Sequence, residues 1–106
     1  MVINIRFEKG KRERISCYYK YDSDLMLRLK DVDIDETEQI RIHAANGVEE
    51  KAVNLDMIGE YLYKVDDSLL MTGNRLLLYV VVVGQDYLVT TQEVILELSD
   101  RAELPQ

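Results

Sequence analysis

Apolar and polar residues alternate at period two along most of this chain, and no segment sustains the three-to-four spacing of an amphipathic helix. Ile3, Ile5 and Phe7 share one side of a first strand, which Gly10 interrupts within Lys9-Gly10-Lys11-Arg12. Strand-forming residues resume from Ile15 to Tyr21, so residues 2–21 read as a hairpin with a basic tip. Tyr21-Asp22-Ser23-Asp24 has the composition of a turn, and Leu25, Leu27 and Leu29 then line one side of a third strand. An acidic loop from Asp31 to Glu38 follows. Ile40 to Ala44 alternates again and stops at Asn46-Gly47, a dipeptide suited to a tight hairpin, which predicts a returning strand from Val48 to Val53.

Residues 54–59 carry no clear period and read as loop or irregular strand, whereas Tyr61 to Val65 alternates. Asp66-Asp67-Ser68 followed by Leu69-Leu70-Met71-Thr72-Gly73 combines N-cap residues, a short apolar run and a terminating glycine, which predicts a single helical turn. Arg75 to Val83 is apolar at nearly every position, as expected of a strand lying centrally in its sheet. After Gly84-Gln85-Asp86 the chain returns through Tyr87–Thr91 and Val94–Leu98, the latter with Val94, Leu96 and Leu98 inward and Glu93 and Glu97 outward. The sum is an all-β fold, an immunoglobulin-like β-sandwich of about 7–8 antiparallel strands with one short helical turn. It would lack the cysteine pair and core tryptophan of antibody domains, since the chain has one Cys and no Trp.

The 106 residues suffice for a single domain over 1–106, because single domains usually run to about 100–200 residues. The formal charge of −7 argues against general nucleic-acid binding, which draws its affinity from Lys and Arg neutralising phosphates. That charge is unevenly spread. Residues 1–20 hold six basic side chains against two acidic ones, leaving an acidic remainder. Lys9, Lys11, Arg12 and Arg14 are therefore the candidate partner-binding residues. The longest apolar run, Leu76 to Val83, has 8 residues, far below the roughly 18–20 of a spanning helix, so no membrane partner is expected. A lone cysteine and no leader-like segment predict synthesis in a reducing cytoplasm.

Candidate chemistry is sparse. Asp31-Val32-Asp33-Ile34-Asp35-Glu36 opens like a calcium-binding loop, but position six is Glu36 where glycine belongs and position twelve is Ile42 where a bidentate glutamate belongs. An acidic surface loop is the better reading. His43 is the only histidine, and with Cys17 it supplies too few ligands for a transition metal. As a nucleophile and base the same two residues would need an electropositive pocket around the thiol. Adjacent carboxylates such as Asp66-Asp67 point to opposite faces of extended chain and cannot act together on one bond. No catalytic residue, metal ligand or cofactor-binding residue is predicted, and the chain reads as a non-enzyme.

Gln39-Ile40-Arg41-Ile42-His43-Ala44-Ala45-Asn46, then Tyr63 to Gly73, Leu78 to Val82 and Thr90 to Leu98 together resemble structural proteins of phages and prophages of Gram-positive bacteria. The pattern is similar to the N-terminal domain of baseplate upper proteins, in which a strand ending in Ala-Asn precedes an Asp-x-Leu-Leu-x-x-Gly turn and a long apolar strand. Arg101 to Pro105 resembles that family's closing Arg-x-x-Pro, and Tyr19 to Ser23 its Tyr-x-Tyr-Asp opening, but Asp66 stands where the family has proline and residues 1–17 add a strand the pattern does not require. The resemblance implies an immunoglobulin-like sandwich in a phage tail or baseplate, other phage structural proteins or further copies of itself as partners, and final residence in the virion. It implies no catalytic or metal residue. A different class of reading is a free-standing β-sandwich that recognises carbohydrate or a host surface through its loops.

Overall fold

A computed structural model of the chain describes residues 1–19, 23–46 and 52–99, with the backbone alone for 17–19. Nine strands and one 3₁₀ turn are formed among the described residues: β1 (Val2–Arg6), β2 (Arg12–Tyr19), β3 (Met26–Lys30), β4 (Gln39–Asn46), β5 (Ala52–Asn54), β6 (Asp56–Gly59), β7 (Leu62–Lys64), the 3₁₀ turn (Asp67–Leu70), β8 (Arg75–Val83) and β9 (Leu88–Ser99). They build a four-stranded sheet in the order β1-β3-β7-β6 and a five-stranded sheet in the order β2-β9-β8-β4-β5. The period-two positions meet between the sheets. Ile5, Leu25, Leu27, Leu29, Tyr63 and Val65 come from the first sheet and its flanks, and Ile42, Leu76, Leu78, Val80, Val94 and Leu96 from the second; all are buried in one core. The all-β sandwich expected from the alternation is the observed architecture.

Two expectations are corrected. The strands are not all antiparallel, because β1 runs parallel to β3 and β2 parallel to β9. Residues 2–21 are also not a hairpin: β1 and β2 lie in different sheets, and the chain arches across the end of the sandwich between them. Alternation alone cannot distinguish a hairpin from an arch, since each strand buries one side either way. Hydrogen bonding decides it here. Phe7 is buried and its N–H donates to the Lys30 carbonyl at 2.8 Å, while Gly10, at φ +83°, donates to the Thr91 carbonyl at 2.7 Å. Between these anchors the backbone leaves one sheet before it has joined the other. Gln92 fills the gap: its Oε1 accepts from the Glu8 N–H at 3.0 Å and its Nε2 donates to the Arg6 carbonyl at 3.1 Å. The side chain is only 4% exposed, one of two buried polar residues among those described.

The other buried polar side chain is Asn46. Its Nδ2 donates to the carbonyls of Leu69 at 2.8 Å and Thr72 at 2.9 Å, tying the end of β4 to the 3₁₀ turn. That turn forms as its sequence predicts, with the Asp66 carboxylate accepting from the Ser68 N–H at 3.0 Å and Gly73 at φ +76° after it. Asn46 is thus a strand residue and not a turn residue. β5 pairs back antiparallel against β4, with Ala45 opposite Ala52, while the expected turn at Gly47 and the start of the returning strand, residues 47–51, lie outside the described residues.

Residues 56–59, without a clear period in the sequence, form the edge strand β6, which is exposed at every position. Leu55 is buried where the chain passes from one sheet to the other. The segments expected at Tyr87–Thr91 and Val94–Leu98 are one strand, β9, which begins at Leu88 and whose register against β8 shifts between Val80 and Val81. Finally, the Tyr63 hydroxyl crosses the core to donate to the Ile40 carbonyl at 2.9 Å, and burial pushes its pKa up to about 12.

Candidate functional site

The second sheet presents its outer side as a broad regular face. Register places Arg12 and Arg14 of β2 beside Glu93, Ile95 and Glu97 of β9, then Arg75, Leu77, Tyr79 and Val81 of β8, then Arg41, His43 and Ala45 of β4. These positions face outward because their neighbours along each strand, such as Ile40, Ile42, Leu76, Leu78, Val94 and Leu96, are buried in the core. The middle of the face is nevertheless dry. Val81 is 1% and Ile95 6% exposed although both lie on this outer side.

Of the sequence-predicted basic residues, Arg12 and Arg14 occupy the margin of this face while Lys9 and Lys11 precede β2 in the arch, and most are paired within the chain. Arg14 Nη1 lies 2.8 Å from Glu97 Oε1, and Arg12 Nη2 lies 3.2 Å from Glu93 Oε2. Lys11 Nζ sits between Glu13 at 3.2 Å and Glu8 at 3.6 Å, and the hydrogen bond to Glu13 is the main reason its pKa is raised. Lys9 is exposed and close enough to Glu38 to help lower that carboxyl's pKa. The sequence therefore pointed to the edge of the face but not to Arg41 and Arg75, which are exposed and form no ion pair among the described residues. Strand alternation marks both as outward, yet only the sheet order places them on the same side as Arg12 and Arg14.

One end of the sandwich is acidic. The β3–β4 loop carries Asp31, Asp33, Asp35 and Glu36, all exposed, with Asp31 3.5 Å from Arg6. The β8–β9 turn brings Asp86 to the same end, because Tyr87 donates its hydroxyl to Glu38 Oε2 while Glu38 Oε1 accepts from the Asp35 N–H at 2.9 Å. The Tyr87 ring lies directly over Gly84, where a Cβ would collide with it. The Tyr87 hydroxyl is the leading cause of the lowered Glu38 pKa, and the same bond raises that of Tyr87.

The contact between Tyr87 and Glu38 should respond to pH in a defined direction. Because Glu38 is depressed in the folded state, its stabilising contribution is present above the ordinary carboxylate range and is lost as pH falls through its folded pKa. Because Tyr87 is raised, its contribution is present below the ordinary tyrosine range near pH 10 and is lost as pH rises through its folded pKa. Tyr87→Phe should return the Glu38 carboxyl toward its ordinary value, read by carbon-detected NMR titration. An unchanged Glu38 titration would show that the hydroxyl is not its partner in solution.

Two open grooves flank this architecture. One of about 510 Å³ lies along Val53 to Asp56, Lys64, Asp66 and Asp67, and one of about 370 Å³ is lined by Ile34, Glu38, Ile40, Met57, Glu60 and Tyr61 among others. Neither lining includes serine, cysteine or histidine. Among the described residues no group of three or more His, Cys, Asp and Glu side chains is gathered as a metal site would require, and Asp31 is engaged with Arg6. His43 is half-buried on the outer sheet face beside Tyr79; the Cys17 side chain lies outside the described residues. No helix among the described residues is long and apolar enough to cross a membrane.

No protein-family model matches the chain, and no curated protein matches it. The outer sheet face and the acidic end are thus read from their own chemistry.

Proposed function

We propose that this chain is a non-enzymatic structural domain of a phage or prophage tail or baseplate, and that it acts through protein–protein contacts. The observation that carries the contact role is the composition of the outer face of the five-stranded sheet. Arginines at the margins and Tyr79 accompany the buried Val81 and Ile95 there, and none of the described residues named on the face is a lysine, which is the bias of protein interfaces relative to ordinary protein surface.

Strand order supports an immunoglobulin-like sandwich. The order β1-β3-β7-β6 corresponds to A-B-E-D, and β9-β8-β4-β5 to G-F-C-C′ with β2 added beyond G. The departure is the arch after β1, which makes that strand parallel to β3. The phage assignment rests on the resemblance of residues 39–46 and 63–73, and these two segments are joined in space. Asn46, which ends the first, holds the turn formed by the second through the carbonyls of Leu69 and Thr72. The resembling residues at 20–22 and 101–105 lie outside the described residues.

The test is to purify phage particles after prophage induction from the bacterium that encodes the chain and to quantify their proteins by mass spectrometry. The chain should appear at a fixed ratio to the tail proteins. Its absence from particles, with the chain recovered free in the lysate, would overturn the proposal.

A further inference from the structure

The outer face of the five-stranded sheet differs in charge from the rest of the molecule. Four arginines, Arg12, Arg14, Arg41 and Arg75, stand against two glutamates, Glu93 and Glu97, leaving the face at +2 within a chain of formal charge −7. All other residues therefore sum to −9. Both glutamates are already engaged by Arg12 and Arg14, so the charge available to a partner is that of Arg41 and Arg75. These two lie on either side of Val81, Leu77 and Tyr79, on the adjacent strands β4 and β8. Five strands at about 4.8 Å spacing, with roughly 30 Å of strand along β8, offer about 700 Å², near the ~800 Å² that one partner contributes to a stable interface.

We propose that this face docks the acidic end of a second copy of the chain, in a head-to-tail contact; the inference rests on the assembly reading above and names its partner. The acidic end is a different surface, built by Asp33, Asp35 and Glu36 of the β3–β4 loop with Asp86 of the β8–β9 turn. It projects at one end of a body whose extents are 53 × 26 × 22 Å. Two copies of the arginine face would repel each other, so a two-fold pairing of like faces is disfavoured, whereas face against acidic end is attractive. Such a contact uses two unlike surfaces and is not saturated in a dimer, so it propagates to a ring if its rotation closes and to an open stack if it does not. Nucleic acid is disfavoured as the occupant because two unpaired arginines would face phosphates across a strongly acidic body.

Sedimentation velocity separates these possibilities. At about 20 mM salt the wild type should form concentration-dependent species beyond the dimer, and about 0.5 M salt should return it to monomer, since charged contacts are screened over a few ångströms there. Arg41→Glu with Arg75→Glu should be monomeric, and so should Asp33→Lys with Asp35→Lys and Glu36→Lys. All five positions are exposed, and unchanged thermal melting would confirm that both variants fold. An equimolar mixture of the two variants should associate under conditions where each alone stays monomeric, through the intact arginine face against the intact acidic end and through the reversed glutamate face against the reversed lysine end. The first supplies an intact acidic end and the second an intact arginine face. A monomeric wild type at low salt, continued association of either variant alone, or failure of the mixture to pair would each overturn the contact. Retention of a DNA duplex by the wild type and not by the arginine variant would overturn it in favour of phosphate binding. A monomeric chain still found in phage particles would remove this inference and leave the assembly role standing.

Discussion

Gln92→Leu should lower the stability of the fold by about 3 kcal/mol and strip hydrogen-exchange protection from the Glu8 amide. Leucine fits the volume of the side chain but cannot serve either backbone group that Gln92 now satisfies, the Glu8 N–H and the Arg6 carbonyl. Each part-buried group left without a partner costs about 1–3 kcal/mol. For a domain of this size the change corresponds to roughly 10–20 °C in melting temperature. Gln92→Glu separates the two bonds. Its carboxylate can accept from Glu8 N–H but repels the Arg6 carbonyl, so the variant should be weakened at neutral pH and regain stability when acid protonates the carboxyl and restores a donor. Thermal melts across pH would show this, and a Gln92→Leu protein as stable as the wild type would mean that the arch is held by Phe7 and Gly10 alone.

Asn46→Asp should cost about 3 kcal/mol or more, a larger loss than its size suggests. The substitution is isosteric, yet it replaces an amide donor shared by two carbonyl oxygens with a charge that both oxygens repel, at a position 4% exposed. Asn46→Leu removes the same bonds without adding charge and should fall between the wild type and Asn46→Asp. In both variants the 3₁₀ turn should loosen first, exposing Leu69 and Leu70, which are now buried against the core. Chemical denaturation gives the ordering, and amide exchange at Leu69 gives the locality. Equal stability of the two variants would show that lost hydrogen bonds dominate and that the buried charge escapes to solvent.

Alternation of Ile3-Ile5-Phe7, Leu25-Leu27-Leu29, Ile40-Ile42-Ala44 and Leu76 through Val82 was enough to read strands and their inward sides. In a sandwich the side that is apolar is the side that is buried, whatever the strand order. The 3₁₀ turn was equally legible, because capping by Asp66 and termination at Gly73 are local events decided within eight residues. Partner choice between strands was not local. Whether Ile15 paired back against Ile5 or crossed to Leu96 depended on which backbone groups found partners across the arch, and Gln92, more than eighty residues from Arg6 and Glu8 in sequence, supplies an acceptor for one and a donor for the other. Asn46 read as a turn residue because that is where asparagine is commonest, while the carbonyls its amide reaches, those of Leu69 and Thr72, lie in and just after the 3₁₀ turn and carry no sequence mark of that pairing. The charge split between residues 1–20 and the rest was visible in the chain, but sheet order alone assembled Arg12, Arg14, Arg41 and Arg75 on one face and paired the first two with Glu93 and Glu97. Period two determines what each strand buries; long-range hydrogen bonding determines which strands become neighbours, and with them which charges share a surface.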